Sequence, residues 1–235
     1  MKRSLLCTAL FFVGAFIALD ETAAIEIVIG DTKIELVVPT GYCPLDRKDW
    51  PESRPIDFTS DGIKKQGERL AYLVDCERAR SWREGGSSKD VGDVVDYQAS
   101  LEFRSQNVTR AMLKELCATL RKGDDSSKGW VDMFLSAMKG VVMGKYGGAE
   151  DSTLTYVVLR YEGPACYVFR LSLMKNREQV YTVSALTAVK SKLVTVHRSR
   201  KIGTMDLLKG DAEDLIKRLL VTSKETATAL IAANQ

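Results

Sequence analysis

VYTVSALTAVKSKLVTVHRSRK, residues 180–201, decides the fold class. Val180 to Val189 and Leu193 to His197, with an extension toward Lys201, are runs rich in β-branched residues. Lys190-Ser191-Lys192 between them has room only for a tight turn, so the stretch reads as a β-hairpin whose strands run in opposite directions. Just upstream, Leu154 to Tyr161 and Cys166 to Leu173 flank Glu162-Gly163-Pro164-Ala165, a second hairpin by composition. Four strands clustered this way predict an antiparallel sheet rather than a wound parallel one.

Upstream of these hairpins the chain alternates between strand and helix signals. Ile25–Ile29 and Ile34–Val38 surround Gly30-Asp31 as a third hairpin, which Pro39 ends because it has no N–H for a ladder. Residues 44–61 carry Pro44, Pro51 and Pro55 and read as a loop leading into a short helix near Asp57–Gly67. Arg69–Cys76 (RLAYLVDC) and Asp96–Phe103 read as strands. Three longer helices are expected. Thr109–Lys122 places Leu113, Leu116, Cys117 and Leu120 on one stripe, with Thr109 as N-cap and Gly123 past its end. Gly129–Gly144 and Ala212–Ala233 carry the same period. The expected architecture is α+β: an antiparallel β-sheet whose faces are covered by helices, an α/β/α sandwich.

The N-terminus reads as an address. Lys2 and Arg3 precede an apolar run from Leu5 to Leu19, and Thr22-Ala23-Ala24 supplies small residues for a cut after Ala24. Residues 1–24 are therefore expected to be a signal peptide and 25–235 a single domain, periplasmic or secreted. The whole chain has 235 residues and a formal net charge of +3. Loss of Lys2, Arg3, Asp20 and Glu21 removes two charges of each sign and leaves that value unchanged. So small an excess does not suggest nucleic acid, whose binders show a dense basic face. Cys43, Cys76, Cys117 and Cys166 remain, an even number suited to an oxidising compartment. They allow three pairings, and spacing alone does not choose among them.

Motifs for chemistry are scarce. His197 is the one histidine, too few for a His-based zinc site, and no Gly-x-Ser-x-Gly elbow accompanies it. It is expected at a surface or sheet edge. Gly140-Val-Val-Met-Gly144-Lys145 lacks the spacing and the Ser or Thr of a phosphate loop. No cofactor motif, metal-ligand set or catalytic residue stands out. Lys190, Lys192, Arg198, Arg200 and Lys201 form a local basic cluster. It reads first as solvated edge-strand charge, and second as a weak contact for an anionic membrane surface.

The order of elements resembles the Mog1/PsbP-like fold. The match is carried by Tyr181-Thr-Val-Ser-Ala-Leu-Thr-Ala-Val189, Lys192-Leu-Val-Thr-Val196 and a terminal helix closing on Ala232-Ala-Asn234. The chain is also similar to small secreted bacterial proteins with a GYC near the N-terminus, here Gly41-Tyr42-Cys43, and a DC ending a later strand, here Asp75-Cys76. The resemblance implies a three-layer fold around an antiparallel sheet and an accessory or binding role, and it supplies no functional residue. It differs where Ser191 stands in place of a glycine in the last hairpin. If the strands ending near Cys43 and Cys76 are neighbours, a Cys43–Cys76 bridge would tie their ends together. A second Cys117–Cys166 bridge stands against simple packing of both side chains as core. The functional expectation is an exported, non-enzymatic module of the bacterial envelope that binds a protein or small ligand. The alternatives are a hydrolase with a carboxylate-based site and a helper at the membrane surface.

Overall fold

A computed structural model describes residues 24–46, 67–86, 92–101, 103–122, 154–173, 179–202 and 212–235. The expected signal peptide, the short helix near 57–67 and the helix over 129–144 fall outside these residues, the last residue of that short helix excepted. The described chain runs β1 (Ala24–Ile29), β2 (Thr32–Val37), β3 (Tyr42–Pro44), β4 (Gly67–Asp75), α1 (Cys76–Arg83), β5 (Asp93–Ser100) and α2 (Arg110–Lys122). It continues with β6 (Leu154–Glu162), β7 (Ala165–Leu173), β8 (Gln179–Val189), β9 (Lys192–Ile202) and α3 (Ala212–Ala232).

β1 and β2 form a separate antiparallel hairpin, and the other strands form a seven-stranded sheet in the order β3-β4-β5-β9-β8-β7-β6. Every neighbouring pair in it is antiparallel. The α+β class with an antiparallel sheet is therefore as expected from the hairpin signals. Lys190 and Ser191 alone make the β8–β9 turn, both with positive φ (45° and 64°), the pattern of a type I′ hairpin.

Alternation divides the sheet into two faces. Tyr167 of β7, Val183 and Ala185 of β8, Val194 and Val196 of β9 and Tyr97 of β5 pack with Leu215, Leu219, Ala227 and Leu230 of α3. The intervening residues Cys166, Val168 and Leu186 pack instead with Leu113, Leu116 and Cys117 of α2. On the same side as α2, Tyr72, Val74 and Val94 pack with Ala79 and Trp82 of α1. The β1–β2 hairpin contributes Ile29, Ile34 and Leu36 to the core under α3. Polar links help to fix it there. The Tyr97 hydroxyl donates to the Val37 carbonyl (2.6 Å), and Asn234 both accepts from Glu35 N (3.0 Å) and donates to Glu35 O (2.8 Å).

Three elements depart from expectation. β3 ends on Pro44, which the sequence places in a loop; it lies at the sheet edge, where Pro44 costs no ladder bond. α1 follows directly on β4, in a stretch with no helical stripe in the sequence. Asp75 caps it by accepting from Arg78 N (3.2 Å), and Glu77 at its start and Arg80 and Arg83 at its end suit the helix dipole. β5 begins at Asp93 and ends at Ser100; Phe103, expected on the strand, lies in the turn after it and is buried beside Val108 and Leu113.

Candidate functional site

Both cysteine pairs are bonded, Cys43–Cys76 with an S–S distance of 1.97 Å and Cys117–Cys166 with 2.12 Å. The first staples edge strand β3 to the junction of β4 and α1. The second ties α2 to β7. Gly41 (φ 83°) turns the chain into β3 and its carbonyl accepts from Cys76 N (3.0 Å), so Tyr42 is held between a backbone bond and a disulfide.

Tyr42 faces a cleft at this end of the sheet. The cavity, about 440 Å³, lies between β5, β9 and the N-terminal half of α3. Its lining includes Val94, Leu215, Leu219 and Val221 among apolar residues, and Arg198, Arg200, Lys217, Arg218 and Asp93 among charged ones. Four cations against one carboxylate leave an excess of three positive charges. Asp93 faces Arg200 across the β5–β9 ladder, with Arg200 Nη1 3.5 Å from Asp93 Oδ1. That is an ion pair too loose for a hydrogen bond, and Oδ1 makes none. Lys217 pairs with Asp214 at 3.8 Å on the exposed side of α3.

Arg198 is different. It is only 5% exposed, its Nη2 donates to Thr226 Oγ1 (2.8 Å), and its guanidinium lies 4.8 Å from the centroid of the Tyr42 ring. Its Nε is buried with no hydrogen-bond partner, and among the described residues no carboxylate pairs with it. A buried guanidinium without a counter-charge is costly, and what would offset the cost is an anion brought from outside. Burial pushes the Tyr42 hydroxyl above its usual value, and the charge of Arg198 beside it pulls the other way. The phenol therefore stays neutral and serves as a wall and a hydrogen-bonding group.

The structure separates the basic cluster that the sequence brought together, and β9 is not an edge strand but lies between β5 and β8. Lys192, 5% exposed, donates to the Arg104 carbonyl (3.1 Å) and lies 3.6 Å from Asp31; Lys190 donates to the Lys33 carbonyl (3.1 Å). Lys192 and Arg198 share a face but are six residues apart, roughly 20 Å along a strand. Arg198 and Arg200 belong to the cleft, Lys190 and Lys192 to the opposite end of the hairpin, and the side chain of Lys201 lies outside the described residues. The reading as solvated edge charge fails because the neighbour of β9 is β5, about a hundred residues earlier in the chain.

His197 is also corrected. It is 2% exposed, on the face opposite α3, and its Nδ1 is 2.7 Å from Ser184 Oγ. Asp96 faces His197 across the ladder and is buried too. Its carboxylate accepts from Arg69 Nε (2.9 Å) and Nη2 (3.1 Å) and from Gln98, an arrangement that holds a charge in the sheet. No group of three or more His, Cys, Asp or Glu side chains is placed to hold a metal among the described residues, and no described helix is long and apolar enough to cross a membrane. No protein-family model matches the chain, and no curated protein matches it.

Proposed function

We propose that the protein is an exported, non-enzymatic binding module of the bacterial envelope, of Mog1/PsbP-like three-layer type, and that the cleft beside Tyr42 and Arg198 holds a negatively charged ligand. The observation that carries this reading is the buried guanidinium of Arg198, which lines a cavity and pairs with no carboxylate among the described residues. The cavity volume falls within the 300–1,000 Å³ of ordinary small-molecule sites. The two disulfides fit a compartment that oxidises thiols, as a periplasmic or secreted protein requires.

Thermal unfolding at constant ionic strength tests it, with inorganic phosphate as probe and chloride as control. Phosphate at ten times its dissociation constant adds about 1.4 kcal/mol, so the parent melts higher as phosphate replaces chloride, and Arg198→Met does not. A parent indifferent to the exchange would remove the reading. A hydrolase reading is favoured only by the Ser184–His197 hydrogen bond. Labelling of Ser184 by a fluorophosphonate would support it, and the ion pair of Asp96 with Arg69 weighs against it.

A further inference from the structure

Resting on that reading, we infer that the ligand is a free single-chain amphiphile, with an oxyanion head on Arg198 and a hydrocarbon body along α3. The walls of the cleft differ in kind. Arg198, Arg200 and Arg218 bring guanidinium groups, whose planar forks match carboxylate and phosphate oxygens. Leu215, Leu219 and Val221 of α3 give the cleft an aliphatic side beside them. Leu215 and Leu219 are nearly closed off from solvent, whereas Val221 is 53% exposed. It is one of the two large hydrophobic residues exposed among the described ones, and it sits at this cleft.

Each simpler occupant leaves part of the site unused. An inorganic anion would neutralise Arg198 but leave Val221 in water. A neutral hydrophobe would cover the aliphatic side but leave the guanidinium unpaired, with the desolvation cost still standing. An oxyanion carrying a chain answers both. The cavity, near the lower end of the ligand-site range, suits one chain.

Calorimetric titration of the mature, oxidised protein tests the assignment, with acetate, hexanoate, octanoate and decanoate below their micellar concentrations. Affinity is expected to rise about three- to four-fold for each methylene buried, and to level off once the chain passes Val221. Val221→Ser flattens that dependence. Arg198→Met weakens every member of the series, and so does Arg218→Ala, an exposed change that keeps the test open if the first variant folds poorly. Decylammonium, with the same chain and the opposite head, does not compete. Affinity independent of chain length, with phosphate still raising the melting temperature, would overturn the amphiphile and leave the anion site standing. Failure of both phosphate and decanoate would overturn both. Retention on phosphatidylglycerol vesicles that decanoate does not displace would also overturn the free amphiphile, since the occupant would then be the membrane itself.

Discussion

Two arginines of the sheet, Arg69 partly exposed and Arg198 buried, have opposite circumstances. Arg69 meets the carboxylate of Asp96 through two hydrogen bonds, and among the described residues Arg198 meets a hydroxyl and an aromatic face. Their substitutions should therefore differ in size. Arg69→Ala strands a carboxylate that is 1% exposed and is expected to cost about 3–5 kcal/mol in urea denaturation. Arg198→Met removes a cation that no described carboxylate pairs, and in anion-free buffer the same measurement is expected to stay within about 1 kcal/mol of the parent, the worth of its bond to Thr226. Tyrosines give a pH counterpart. Burial raises the Tyr97 hydroxyl, which donates to Val37 O, well above its ordinary 10.0, and raises Tyr42 as well. The fold favours the neutral phenol, so this stability is whole below pH 10.0 and is lost as pH climbs from there toward the folded value. Denaturation midpoints should fall above pH 10, with phenolate absorbance appearing together with unfolding; phenolate appearing in full ahead of unfolding would contradict the burial. None of these environments was legible from the residues alone. Alternation along β9 does put Arg198 and Arg200 on one face, but their burial depends on β5 and α3 arriving from distant parts of the chain.

Local elements were the most legible. The β8–β9 and β6–β7 hairpins stand in the sequence as β-branched runs about short turns, and Thr109 caps α2 through Met112 N (3.2 Å), as its position suggested. α1 was missed because Asp75 ends a strand and caps a helix at once, and an eight-residue helix with only Ala79 and Trp82 buried shows almost no stripe. The separate strand β3 was missed for a similar reason: three residues with a proline carry no period. At the β8–β9 turn, two non-glycine residues hold positive φ at a cost that glycine would not incur. Ser191→Gly is expected to raise stability by up to about 1 kcal/mol by thermal unfolding, since only the Ser191 carbonyl, which accepts from Val108 N, is used there. The disulfides act on a larger scale, closing separations of 33 and 49 residues. By the chain-entropy relation each is worth about 4 kcal/mol. Cys76→Ser should lose that amount and also weaken phosphate binding, because β3 carries Tyr42 over Arg198; unchanged binding would mean the staple serves stability alone.

For the molecule as a whole, the hairpins were enough to indicate an α+β chain with an antiparallel sheet, because turn length forbids parallel neighbours. Strand order was not readable. The β5–β9 pairing joins segments about a hundred residues apart, and nothing local in Asp93–Ser100 names its partner. That pairing creates the cleft, by setting Asp93 beside Arg200 and Val95 beside Arg198 under α3. A site made of long-range contacts is visible in the sequence only as scattered cations. The most direct test follows the Arg198 side chain itself. In a ¹⁵N-labelled protein the Nε–H resonance of Arg198, assigned by its loss in Arg198→Lys, reports whether an anion reaches that guanidinium. With decanoate added at constant ionic strength it should shift saturably, and the exposed arginine resonances should not follow the same curve. An Arg198 resonance that stays in place while decanoate saturates the protein elsewhere would contradict the account.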